Sequence, residues 1–277
     1  MPPKIVAIIN MKGGVGKTTL TWNLSQHLFT SNKKVLVVDM DPQANATSLG
    51  LTDGEYAEHK KSKKTIADLF VNCYRRYGPF PKEEIKLEPK DFIFRREQSE
   101  NAFLDFVPSE LNLSSILKGA YVDPFLLENL LKHSFFTQYD FIFIDCAPTN
   151  SNLTTLSLNA AKDILVPIMT DTFASHGIEL LQEVIEQHKE DFDVHVNIIG
   201  LVFMRWRSDK ANQADFKADL VKKYGSLTFE TPIRDSEWYR IANGRRVDIR
   251  HTGAHEDCTG EFAKFVEEFL ERIKKTN

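Results

Sequence analysis

Cysteine is scarce and scattered in this chain of 277 residues. Cys73, Cys146 and Cys258 are three in number, far apart, and none belongs to a C-x-x-C pair or a Cys/His cluster. This pattern argues against a disulfide framework, a structural zinc site and an iron–sulfur cluster, and it fits a reducing, cytoplasmic setting. No apolar run approaches the roughly 18 residues of a membrane span. The N-terminus lacks a signal-peptide pattern, because Lys4 leads straight into an apolar run. Positive charge is not in excess either: the formal net charge is −4. That argues against a globally basic nucleic-acid binder but leaves room for a local basic face. No internal repeat or convincing linker divides the chain, so residues 1–277 read as one domain.

What is present begins near the N-terminus. The apolar run Ile5-Val6-Ala7-Ile8-Ile9 reads as a buried strand and Leu20 to Thr30 as a helix. Between them lies Lys12-Gly13-Gly14-Val15-Gly16-Lys17-Thr18-Thr19. Strand, glycine loop and helix form the context of a phosphate-binding loop. Glycines let successive N–H groups curl inward into an anion nest, and the helix adds its positive end. Lys17 would reach the β and γ phosphates, and the Thr18 hydroxyl would ligate Mg²⁺. Where the common loop has its first glycine this one has Met11, and a second lysine, Lys12, follows at once.

Strands are expected again at Val35–Asp39, Phe103–Pro108, Phe141–Asp145, Asp163–Pro167 and Val196–Phe203, with a short one near Phe229. Helical spacing marks Phe125–Phe136, Ile178–Lys189, Ala211–Lys223 and Glu261–Lys274. Alternation of this kind predicts an α/β fold, a single P-loop NTPase domain whose mostly parallel twisted sheet carries helices on both faces. Residues 52–101 differ in character and read as a partly helical insertion on the sheet's rim, either a solvated connector or a partner-binding, family-specific lobe. The last helix carries Phe262, Phe265, Val266, Phe269, Leu270 and Ile273 on one side. Its other side holds Glu261, Glu267, Glu268 and Glu271, which anionic lipid would repel, so it is expected to pack on the sheet and no stable membrane association is expected.

Three acids stand at or just past strand ends: Asp39, Asp41 and Asp145. Ligands of open α/β sheets bind at that edge. Asp145 fits the acid that holds Mg²⁺ through its water shell, Asp39 a supporting role beside the metal or loop, and Asp41 the positioning of an attacking water. Pro42 ends the second strand, and the polar residues after it are expected to form a loop.

The motif K-G-G-V-G-K-T-T resembles the deviant P-loop of the ParA/MinD superfamily. Asp39-Met40-Asp41-Pro42-Gln43-Ala44-Asn45-Ala46-Thr47 resembles the switch I of ParA-type partition ATPases, and Asp145-Cys146-Ala147-Pro148 their switch II, with Ala147 in place of a proline. The resemblance covers most of the chain apart from residues 52–101. It implies a slow ATP hydrolase using ATP and Mg²⁺, in which Lys12 crosses to the nucleotide of a second subunit and makes a homodimer depend on ATP. It also places adenine near the strand ending at Phe203 and the stretch Thr231–Ser236, with Arg234 and Ser236 as contacts. Non-specific DNA would meet basic residues of the C-terminal half, of which Arg205, Arg207, Lys210, Arg245 and Arg246 are candidates. A ParB-like centromere-binding or cargo-adaptor partner would stimulate hydrolysis and release the protein from the nucleoid. With nothing before the P-loop strand, the DNA-reading domain of longer relatives is expected to be absent. The alternatives are the same switch moving a protein cluster or microcompartment, a MinD-like membrane cycle, and a metabolic or redox enzyme. The last would need a second cysteine placed with Cys146.

Overall fold

The computed structural model describes residues 2–77, 88–114, 123–171 and 174–276. In chain order these form β1 (Lys4–Ile8), α1 (Lys17–Thr30), β2 (Val35–Met40), α2 (Asn45–Gly50), α3 (Asp53–Lys61), α4 (Ile66–Tyr77), β3 (Phe94–Gln98), β4 (Phe103–Val107), α5 (Leu126–Leu131), β5 (Phe141–Cys146), α6 (Asn152–Ala161), β6 (Asp163–Met169), α7 (Ala174–Phe192), β7 (Asn197–Met204), α8 (Ala211–Tyr224), α9 (Glu237–Arg245) and α10 (Glu256–Lys274). Among the described residues the strands make one sheet in the order β3-β4-β2-β5-β1-β6-β7. Every pairing is parallel except β3 with β4.

Side chains of successive strand residues point to opposite faces, and both faces are apolar. On β1, Ala7 packs into one core layer and Val6 and Ile8 into the other. The first layer is closed by α4, α6 and α7, the second by α1 and α10. The expectation for the last helix holds: Phe262, Phe265, Val266, Phe269 and Ile273 are buried. Among the described residues no helix is long and apolar enough to cross a membrane.

Four expectations change. Within residues 52–101, α3 buries no residue and is the solvated rim expected, but α4 and β3 are not. α4 buries Ile66, Ala67, Leu69 and Phe70 in the core, and β3 extends the sheet antiparallel to β4. Charge hid that strand: Arg95 clamps the fully buried Asp105 of β4 through Nε and Nη2 at 2.8 and 2.9 Å, and Tyr139 donates to the same carboxylate at 2.8 Å. A charged outer strand also discourages edge-to-edge pairing. The segment at Phe229 is a single bridge, Leu201 with Thr228, because Phe229 turns inward over Gly200, where a Cβ would lie 2.5 Å from its ring. Beyond Pro42 the chain re-enters a helix at Asn45, so the loop is only four residues long. Finally, α6 went unforeseen because almost every side of it is buried, Ser157 and Asn159 included, and no amphipathic stripe betrays it.

Candidate functional site at the carboxyl edge of the sheet

β1 lies between β5 and β6, and the chain leaves it through the glycine loop at the carboxyl edge. Gly14 and Gly16 have φ of 75° and 95°, values open to glycine at little strain. Gly16 also packs closely, since a Cβ there would stand 3.1 Å from Met204 Cε. α1 then starts with no side-chain cap and no acid in its first turn. Its first N–H groups are left for an anion, with the positive end of the helix dipole behind them.

The chemistry that such a loop needs is assembled around it. Lys17 is buried, its Nζ 3.2 Å from the carbonyl oxygens of Asn10 and Lys12. Burial lowers its pKa, and the nearby Asp145, Cys146 and Asp41 work in the opposite direction. Thr18 Oγ1 donates to Asp145 Oδ2 at 2.7 Å, and Thr21 Oγ1 donates to the other oxygen at 3.0 Å. Asp145 faces Asp39 across the β5–β2 ladder, and both are fully buried. Desolvation first raises both carboxyls, and the charge of Asp145 adds to the rise at Asp39. Asp39 accepts from the Asp41 N–H (3.0 Å), the Thr47 N–H (2.8 Å) and the Thr47 hydroxyl (2.7 Å), so it organises the turn that carries Asp41.

Asp41 in turn accepts from the Gln43 N–H at 2.9 Å. With Pro42, Gln43, Ala147 and Pro148 it lines a groove of about 420 Å³ between the two acid-bearing loops. Among the described residues no three His, Cys, Asp or Glu side chains form a metal cage. A hydroxyl beside one carboxylate fits Mg²⁺, which keeps water and phosphate oxygens as ligands.

A second cavity, about 270 Å³, opens on the far side of the loop, lined by Gly14, Gly16, Thr19, Met204, Arg234 and Ser236 among others. Both residues expected near adenine therefore lie beside the phosphate loop. Arg234 is tied to Glu261 by two bonds of 2.6 and 2.5 Å, and Ser236 caps α9 by accepting from the Trp238 N–H. The five basic candidates divide. Arg205 lines this cavity, 3.6 Å from Asp235. Arg207 is held by Asp209 at 3.0 Å, and Lys210 precedes α8. Arg245 and Arg246 close α9, Arg246 reaching the Ser48 carbonyl at 3.0 Å. Sequence reasoning did not single out Thr21, Asn10 or Met204, and it gave Thr47 no role of its own. Thr21 is legible only once a strand-end acid is known to lie over the first turn of α1.

Fold and site together define a nucleoside-triphosphate-binding α/β protein of the phosphate-loop type. A family model described as an AAA domain, AAA_31, matches residues 3–198, and the chain belongs to that family. It is 29% identical to the chromosome-partitioning ATPase Soj of Treponema pallidum, over 83% of this chain and 82% of the relative. It is 31% identical to the chromosome partitioning protein ParA of Myxococcus xanthus, over 80% and 71%. Its fold matches that of Cyanothece McdA, solved as an ATP complex, with a TM-score of 0.79 at 24% identity, over 97% of this chain and 96% of that one.

Proposed function

We propose that this protein is a DNA-partition ATPase whose ATP-bound form is a homodimer. One observation carries the reading: an uncapped helix N-terminus behind two left-handed glycines, with Lys17 and the Thr18–Asp145 pair converging on it. ATP would lie along the loop, its γ-phosphate toward Asp41 and its base toward the Arg234–Ser236 cavity. Thr18 and Asp145 would hold Mg²⁺, with Asp39 behind them, and the cation would spread the charge of the transferring phosphoryl group. Asp41 would orient the attacking water. Lys12 of each subunit would meet the triphosphate of the other, as an arginine finger does.

Phosphate contacts from basic side chains carry no sequence information. One subunit alone would bind DNA weakly, and pairing two basic faces raises avidity without new contacts. ATP would thus switch DNA binding by switching dimerisation, and a ParB-like partner would end the bound state by stimulating slow hydrolysis. The names of the partition relatives support this choice of cargo. Light scattering with Mg-ATP, Mg-ADP and no nucleotide, beside DNA retardation in the same buffers, tests it. The expected result is a dimer and retarded DNA with ATP alone, the retardation weakened in Arg205→Ala/Arg207→Ala. A monomer in saturating Mg-ATP would refute it.

A further inference from the structure

Lys12 would make the contact in trans, yet within one chain its ammonium already meets an anion. Its Nζ lies 2.5 Å from Asp171 Oδ2, each side chain about one-third exposed at 33% and 35%. The pair is set by the frame. Asn10 is buried and accepts from the Lys12 N–H at 2.8 Å, while its amide donates to the Pro167 carbonyl at 2.9 Å, fastening the loop to β6. Asp171 stands two residues past the end of β6, and its carbonyl accepts from the N–H of Ala174, where α7 begins. Gly177 of α7 lies against the same loop, where a Cβ would be 3.4 Å from Asn10 Oδ1 and 3.9 Å from Lys12 Cβ. Three elements therefore bring Asp171 to Lys12 across 159 positions of sequence.

We propose that Asp171 is a positioning residue that holds Lys12 in cis until a phosphate group bound to a second copy of the chain takes its place. This rests on the function proposed above and adds the step that gates it. The exchange is of one anion for another. It leaves no lysine facing a bare lysine in the nucleotide-free state, and it sets a threshold that the incoming phosphate must exceed. A triphosphate brings more charge to that place than a diphosphate, so the carboxylate sharpens the preference for ATP. A partly exposed ion pair shifts an equilibrium by a factor of about two to five. Two such pairs open per dimer, so removing both favours dimerisation by up to about 25-fold.

The test uses the full chain and the variants Asp171→Asn, Asp171→Glu and Lys12→Ala. In nucleotide-free protein, acetylation of Lys12 by an N-hydroxysuccinimide ester is followed by peptide mass spectrometry. An amine held against a carboxylate is covered, so Asp171→Asn should be labelled about two- to five-fold faster and Asp171→Glu should return toward wild type. Equal labelling overturns the cis pair whether or not the protein dimerises. In light scattering, Asp171→Asn should dimerise at lower Mg-ATP and begin to do so with Mg-ADP, Asp171→Glu should restore the threshold, and Lys12→Ala should stay monomeric. Raised labelling with an unchanged or higher ATP requirement overturns the exchange. A wild type that never dimerises removes the proposed function, while the labelling result on the nucleotide-free chain stands separately.

Discussion

Asp39 and Asp145 face each other across neighbouring parallel strands, both fully buried, with five hydroxyl or amide donors to hold them: the Thr18 and Thr21 hydroxyls on Asp145, and the Asp41 N–H, Thr47 N–H and Thr47 hydroxyl on Asp39. Burial raises both carboxyls above the ordinary range, with the charge of Asp145 adding to the rise at Asp39 and that of Asp41 to the rise at Asp145. Such a pair is retained against stability, which is the mark of a site kept for a ligand. Asp145→Asn should therefore raise the melting temperature of the nucleotide-free protein by a few degrees and remove most of the further rise given by Mg-ATP. ATP turnover should fall by about two orders of magnitude. Thermal shift with and without Mg-ATP, beside a phosphate-release assay, checks both halves.

The phosphate loop depends on Gly16 for two reasons that act together. Its φ of 95° disfavours any side chain, and a Cβ would stand 3.1 Å from Met204 Cε, which would have to shift. Gly16→Ala should cost about 1–2 kcal/mol of stability from backbone strain. Turning the N–H groups away from the nest should also weaken nucleotide binding. Denaturant melts and titration with a fluorescent ATP analogue would show the two losses, and a variant with wild-type affinity would contradict the nest geometry.

Much of this site was written in local sequence. The strand–loop–helix around Lys17 and the strand-end acids needed only apolar runs, glycine spacing and the sheet-edge rule, and the structure brings Asp145 onto Thr18 as that reasoning implies. What escaped were features set by distant partners. The charged strand Phe94–Gln98 makes sense only once Asp105 lies beneath Arg95. α6 carries no period because it is enclosed. Asp171 reaches Lys12 only because β6 and β1 are neighbours, a pairing that no local pattern states.

Asp41 is the acid most exposed to what fills the groove between the two loops. Its backbone is fixed by Asp39, so removing its side chain should spare the loop. Asp41→Ala should bind Mg-ATP normally, hydrolyse it at least about 100-fold more slowly, and accumulate as the dimer. Size measurement over several hours in Mg-ATP, with wild type returning to monomer as ATP is consumed, checks this. Turnover at the wild-type rate would move the water-orienting role to another residue.

His27 offers a readout of fold stability that is independent of the nucleotide. It is buried on α1 with its ring edge-on to Phe262 at 5.8 Å, and Nδ1 has no hydrogen-bond partner among the described residues. Burial, aided by the nearby Arg250, lowers its pKa from 6.5 to about 4, against a smaller opposing effect of Asp248. Below its ordinary pKa the unfolded chain binds a proton that the folded chain refuses, so the unfolded state gains. Stability should fall as pH drops from about 6.5 toward about 4 and change little from this cause below that. Replacing the imidazole removes the titration, so His27→Gln should flatten that part of the curve, even where its stability at pH 7.5 is lower. Urea melts at half-unit intervals of pH decide it: a wild type and variant that lose stability in parallel would place the acid sensitivity elsewhere, in the carboxylates that the fold holds ionised.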